Sequence, residues 1–159
     1  MREIKSPADI SFSGSKGIFL GGSIEMGTAE DWQTRLVADL VDYDGVVLNP
    51  RRDNWDATWV QSIHNPKFKE QVNWELDAIN CASIVVFYFD PNTKSPITLM
   101  ELGLAAGMIA TGCLTDIIVC CPDGFWRKGN VEIMCDRFNL AICNTFNELV
   151  EKLKHSISK

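Results

Sequence analysis

The sequence predicts an α/β protein, a flavodoxin-like doubly wound sandwich with a five-stranded parallel sheet in the order 2-1-3-4-5. Three observations lead there. Apolar runs near residues 17–21, 46–48, 83–89, 117–121 and 140–143 are short and apolar at successive positions, as strands covered on both faces are. Longer stretches of helical spacing separate them, and each run stops at Gly, Asn, Asp or Pro. Finally, 159 residues, 46% hydrophobic and 23% charged, suit one domain with a sizeable core. That domain is placed at 17–159, behind a polar lead-in at 1–16.

Each element has a local reason. The first strand, Gly17 to Leu20, runs into the turn Gly21-Gly22-Ser23. Thr28 with Asp31 three residues later resembles a capping box and predicts a helix over 29–41, with Trp32, Leu36, Val37 and Leu40 on its apolar face. Asp44-Gly45 turns the chain into Val46-Val47-Leu48, which ends at Asn49-Pro50-Arg51-Arg52. Residues 53–65 have no clear period and hold Trp55 and Trp59; loops this long inside a compact domain usually have a function. Asn65-Pro66 is a cap followed by an N1 proline, opening a helix to about 80. The third strand ends at Asp90, and Ser95-Pro96 repeats the cap-and-proline signal for a nearly all-apolar helix to about 112. A strand at 117–121, a short helix near 131–137 and a strand at 140–143 follow. Thr145 with Glu148 is a further capping box, opening an amphipathic helix.

Composition narrows the function classes. A net charge of −6 argues against a nucleic-acid polymer as partner, because phosphate binding needs clustered Lys and Arg. No apolar run approaches a membrane span, and the start of the chain lacks a signal-peptide core. Six cysteines without C-x-x-C spacing or a nearby His read as reduced core thiols of a cytoplasmic protein with no metal site.

Two carboxylates are out of place. Glu101 is the one charge in its apolar helix, stacked by spacing with Ile97, Leu104 and Met108, while Gly103, Ala106, Gly107 and Ala110 form a small-residue face expected against the sheet. In the preceding helix Glu75 falls inside the stripe of Phe68, Val72, Leu76 and Ile79, while Glu70 and Asp77 point to water. In this topology ligands bind beyond the carboxyl ends of the strands, at the switch point. Those ends are Gly21, Gly22 and Ser23 on one side and Asp90 to Ser95 on the other. Two carboxylates in a crevice suit attack on an acetal-like carbon, one ionised to attack and one protonated to help the leaving group depart. Burial raises both pKa values and repulsion separates them. The apolar surface around Glu101 also predicts a homo-oligomer.

Three blocks, Ile18-Phe19-Leu20-Gly21-Gly22-Ser23, Gln71-Val72-Asn73-Trp74-Glu75-Leu76 and Met100-Glu101-Leu102-Gly103, resemble the nucleoside 2-deoxyribosyltransferase family. The resemblance implies cleavage of the N-glycosidic bond of a 2′-deoxynucleoside, without a cofactor, and transfer of the sugar to a free nucleobase or to water. By the same match Glu101 is the nucleophile and Glu75 the acid serving the leaving base. Two positions depart from the family pattern. Phe19 stands where transferases commonly have Tyr, and Ser95 stands where they have an Asp that holds the sugar 5′-hydroxyl. Relatives that hydrolyse deoxynucleoside 5′-monophosphates use serines for the phosphate, and a helix N-terminus favours an anion. Gly21, Gly22, Ser23, Asn49, Arg51, Asp90 and Ser95 are therefore the expected substrate-binding residues, for a nucleoside or its 5′-monophosphate. Two other classes remain open: a non-catalytic nucleotide-binding sensor, and an NAD-cleaving glycohydrolase.

Overall fold

The computed structural model describes residues 1–12, 16–25, 29–114 and 116–158. Among them are six strands, β1 (Arg2–Lys5), β2 (Gly17–Gly22), β3 (Val46–Asn49), β4 (Ile84–Tyr88), β5 (Asp116–Cys120) and β6 (Ala141–Cys143). Four helices connect strands from β2 onward and a fifth follows β6: α1 (Trp32–Asp39), α2 (Pro66–Cys81), α3 (Pro96–Ala110), α4 (Lys128–Phe138) and α5 (Phe146–Ile157). The strands form one parallel sheet in the order β1-β3-β2-β4-β5-β6.

The sheet therefore has one strand more than the expected five, and its order differs by that added edge. β1 lies within the polar lead-in and pairs with β3, Ile4 opposite Leu48 and Lys5 opposite Asn49. Its sequence hides it. An edge strand has one neighbour and turns much of its surface to water, so Arg2-Glu3-Ile4-Lys5 needs only one buried apolar side chain, Ile4.

Two cores flank the sheet, as continuous apolar strands require. On one face Ile18, Leu20, Val47 and Val86 pack with Trp32 and Leu36 of α1 and with Leu149 and Leu153 of α5. On the other, Phe19, Leu48, Val85 and Phe87 pack with Trp74 and Ala78 of α2, Leu102 and Ala105 of α3, and Val131 of α4. No helix is long and apolar enough to cross a membrane among the described residues.

Helix ends follow their caps in three cases. Asn65 accepts from the Lys67 and Phe68 N–H groups, Thr145 and Glu148 form the full capping box, and Asp31 accepts from Thr34 N–H. Because Asp31 is itself the cap, α1 starts three residues later than expected; the other half of that expected box, Thr28, lies outside the described residues. Ser95 is a correction. It sits at the N-cap of α3 in the left-handed region, φ 44°, and its hydroxyl makes no capping bond.

The face of α3 that meets the sheet also differs from expectation. Thr98, Glu101, Leu102, Ala105 and Ala106 are buried, whereas Gly103 and Gly107 border open space. Ile97, Met100 and Leu104 are exposed at 56%, 60% and 41%. A helix apolar all round carries no polar stripe to fix its rotation. Packing against Phe87 and Val119 settled it, with Leu102 and the small Ala105 and Ala106 on the inner side. Of the six cysteines, Cys120, Cys121, Cys135 and Cys143 are buried; Cys81 and Cys113 are exposed, so the expectation of core thiols fails for those two.

Candidate active site

α2 and α3 cover the same face of the sheet, and a carboxylate of α2, Glu75, lies near enough to one of α3, Glu101, to act on its charge. Glu101 is buried at 6% exposure; Glu75 is partly buried. The buried stripe of α2 runs through Gln71, Trp74, Ala78 and Ile79, and Phe68, Val72 and Leu76 flank it. Relative to the expected stripe it is rotated toward Trp74. Glu75 still lies beside its centre, and Glu70 and Asp77 remain in water.

The electrostatics follow from burial. Desolvation pushes Glu101 up to about 8, and the nearby charge of Glu75 pushes the same way. Desolvation pushes Glu75 up to about 7, opposed by a hydrogen bond from Gln71. Neither carboxylate has an ion-pair partner among the described residues; Arg52, beyond the end of β3, pairs with Glu70 of α2 at 2.8 Å. A pair of this kind holds one proton near neutrality, when either residue alone in water would be ionised.

Gln71 is a residue that sequence reasoning missed in this role. Its Nε2 donates to Glu75 Oε1 at 2.9 Å and to the Pro50 carbonyl at 2.8 Å, and its Oε1 accepts from the Ser6 hydroxyl at 2.5 Å. The amide thus ties α2 to the end of β3 and to the segment after β1, and fixes one rotamer of Glu75. The signal was present: Gln71 and Glu75 are four apart, one turn of helix.

The strand ends carry a second polar cluster. Ser23, Thr93 and Ser95 are buried, and their hydroxyls form a triangle with sides of 2.5, 2.9 and 2.8 Å. Ser23 Oγ also accepts from Asp90 N–H at 2.9 Å, and Thr93 Oγ1 donates to the Asp90 carbonyl at 2.9 Å. The structure therefore brings Ser23, Asp90 and Ser95 together across β2 and β4. Thr93 completes the triangle, and nothing in the sequence distinguished it from other polar turn residues.

The remaining expected residues are committed to the fold. A Cβ on Gly21 would come within 2.7 Å of the Phe87 ring; one on Gly22, at φ 155°, would come within 2.6 Å of both Trp32 and the Tyr88 carbonyl. Both glycines are explained by close approach. Asn49 is fully buried, donating to Glu3 of β1 and accepting from Arg51 N–H. The Arg51 guanidinium lies 3.5 Å from Asp31 and reaches Gln33 and the Ala29 carbonyl at 3.4 Å. It braces the start of α1. Asp90 accepts from both N–H groups of Asn92 and from Glu30 N–H. Phe19 is fully buried between β2 and the helices and offers Glu101 no hydroxyl. The loop at 53–65 packs on itself, Trp55 edge-on to Trp59 at 5.0 Å with Arg52 over the Trp59 ring.

Parallel α/β sheets of this kind bind their ligands beyond the carboxyl ends of the strands. The family model described as "Nucleoside 2-deoxyribosyltransferase like" matches residues 15–125, and the chain belongs to that family. Membership supports a glycosyl transferase or hydrolase kind of activity on nucleoside-type small molecules. No curated protein matches the chain. Among solved structures, a conserved protein from Enterococcus faecalis V583 is similar at 13% identity and a TM-score of 0.60, covering 89% of this chain and 99% of its own; that likeness concerns the fold.

Proposed function

We propose that the protein cleaves the N-glycosidic bond of a 2′-deoxynucleoside or its 5′-monophosphate, with Glu101 as nucleophile and Glu75 as general acid. The observation that carries this reading is a buried carboxylate on α3, Glu101, whose proton affinity is raised by burial and by the charge of a second carboxylate, Glu75 of α2. The Glu101 carboxylate attacks the anomeric carbon as the C1′–N bond breaks. The electron pair of that bond leaves with the base, which takes the Glu75 proton. A second base or water then attacks the glycosyl ester at C1′, releases the Glu101 carboxylate and returns a proton to Glu75.

Attack needs the proton of the pair on Glu75 and a bare carboxylate on Glu101. Positive charge developing at the anomeric carbon stabilises ionised Glu101 and moves the proton to Glu75, so the transition state itself selects the reactive arrangement. Burial serves this chemistry, since a desolvated carboxylate interacts strongly with an oxocarbenium-like sugar.

The exposed apolar side of α3 supports a homo-oligomer. Ile97, Met100 and Leu104 surround the strip of Gly103 and Gly107, which lets another backbone approach closely. The test of the function is base release by liquid chromatography from deoxynucleosides and their monophosphates, with and without a second base. Release that disappears in Glu101→Gln supports the reading; full activity in that variant overturns it.

A further inference from the structure

The turn before α3 presents two successive backbone donors, the N–H groups of Lys94 and Ser95. Glu25 fills the seat they form: its Oε1 accepts from both, at 2.7 Å each. Glu25 reaches them from the loop after β2 with φ at 45°, a left-handed conformation unusual for a side chain of this kind. Successive N–H groups at a helix start make a concavity for an anion, and here the anion belongs to the chain.

The other groups that could serve a phosphate are turned elsewhere. The hydroxyls of Ser23, Thr93 and Ser95 bond one another and the Tyr88 and Asp90 carbonyls. Arg51 faces Asp31, Gln33 and the Ala29 carbonyl, and the Lys94 ammonium lies over the Trp126 ring at 5.7 Å. The side chains of Glu25 and Asp90 both accept hydrogen bonds in this region, so it is already rich in acceptors.

The seat and Glu101 belong to the same helix and the turn that opens it. Six residues separate Ser95 from Glu101, about 9 Å of helix rise, and side chains on a helix lean toward its N-terminus. On the Glu101 reading, a deoxyribose held with C1′ at that carboxylate has its 5′ substituent within reach of the start of α3.

We infer that Glu25 is a specificity-determining residue: by occupying the Lys94 and Ser95 amides it makes the chain select a neutral 5′-hydroxyl over a 5′-phosphate. A hydroxyl can donate to the carboxylate; a phosphate must displace it and then stand beside it. This inference rests on the Glu101 reading and narrows it from nucleoside or monophosphate to nucleoside.

The test compares base release and calorimetric binding for the four common 2′-deoxynucleosides and their 5′-monophosphates, in the wild-type chain, Glu25→Gln and Glu25→Gly. Wild type is expected to favour nucleosides by at least about tenfold, and both variants to move the ratio toward monophosphates by a similar factor. Glu25→Gly should move it further, because it frees both amides and suits the left-handed backbone. Inorganic phosphate should compete weakly with wild type and more strongly with Glu25→Gly. Wild-type preference for monophosphates, strong phosphate competition in wild type, or an unchanged ratio in folded variants would each overturn the inference while leaving Glu101 as nucleophile. No release and no binding of any compound by wild type would overturn both.

Discussion

The charge of Glu75 on α2 raises the proton affinity of Glu101 on α3, across a gap that no cation bridges among the described residues. On the proposed function, that relationship bears on both stability and activity.

Glu101→Gln should lose base release by three orders of magnitude or more, since no other group stands ready to form the ester. The same variant should be more stable than wild type at pH 8, with a melting temperature higher by roughly 2–8 °C, because it removes a desolvated charge. Circular dichroism melts beside the activity assay check both. Loss of activity with a lower melting temperature would point to a structural role.

The pH dependence of stability has a definite sign. Both carboxyls titrate higher folded than unfolded, about 8 and about 7 against an ordinary 4.5. Between those limits the folded chain binds more protons than the unfolded one. The stabilisation is complete below about 4.5 and is lost as pH rises toward 8. Denaturant titrations from pH 5 to pH 9 should therefore show falling stability from this pair, and the double variant Glu75→Gln/Glu101→Gln should flatten that slope.

Activity should follow a narrow bell. The reactive form carries one proton on the pair, so kcat/KM should peak between about 7 and about 8 and fall on both sides. A sigmoidal profile with no alkaline limb would exclude Glu75 as the acid.

Gln71→Leu removes the donor that holds Glu75 and leaves the Pro50 carbonyl and Ser6 hydroxyl without their partner. The expected cost is about 1–3 kcal/mol of stability. The diagnostic readout is the pH profile, which should move upward because the bond from Gln71 favours ionised Glu75. A stability loss with an unmoved profile would reduce Gln71 to a structural tie.

Met100→Lys and Leu104→Lys place charges on the exposed side of α3. If that side joins copies of the chain, sedimentation should show a smaller species than wild type, with little change in the monomer's helix content. Identical sedimentation would move the contact elsewhere.

Much of this protein was legible because strand burial writes itself into sequence. Val46-Val47-Leu48 and Ile84 to Phe89 are apolar at every position since helices cover both faces, and Asn65-Pro66 and Thr145 with Glu148 carry their caps in residue type. β1 was not legible because an edge strand needs one neighbour and one buried side chain. Glu101 stood out as a lone charge in an apolar helix, and Glu75 by its place on the α2 stripe. Thr93 and Glu25 carried no such signal; a hydroxyl in a polar turn and an acid in a Gly-rich loop are ordinary until β2 and β4 bring them together.

The sequence by itself determined the alternation of strands and helices, the parallel sheet and the two anomalous carboxylates, because periodicity and the cost of burying charge act locally along the chain. Only the tertiary structure decided which side of α3 meets the sheet, that Gln71 rather than a cation holds Glu75, and that Ser95 is seated against Glu25 instead of capping its helix. Those outcomes depend on which groups meet across elements distant in sequence, where a hydrogen bond of 2.7 Å is made or missed by a small rotation that no local pattern records.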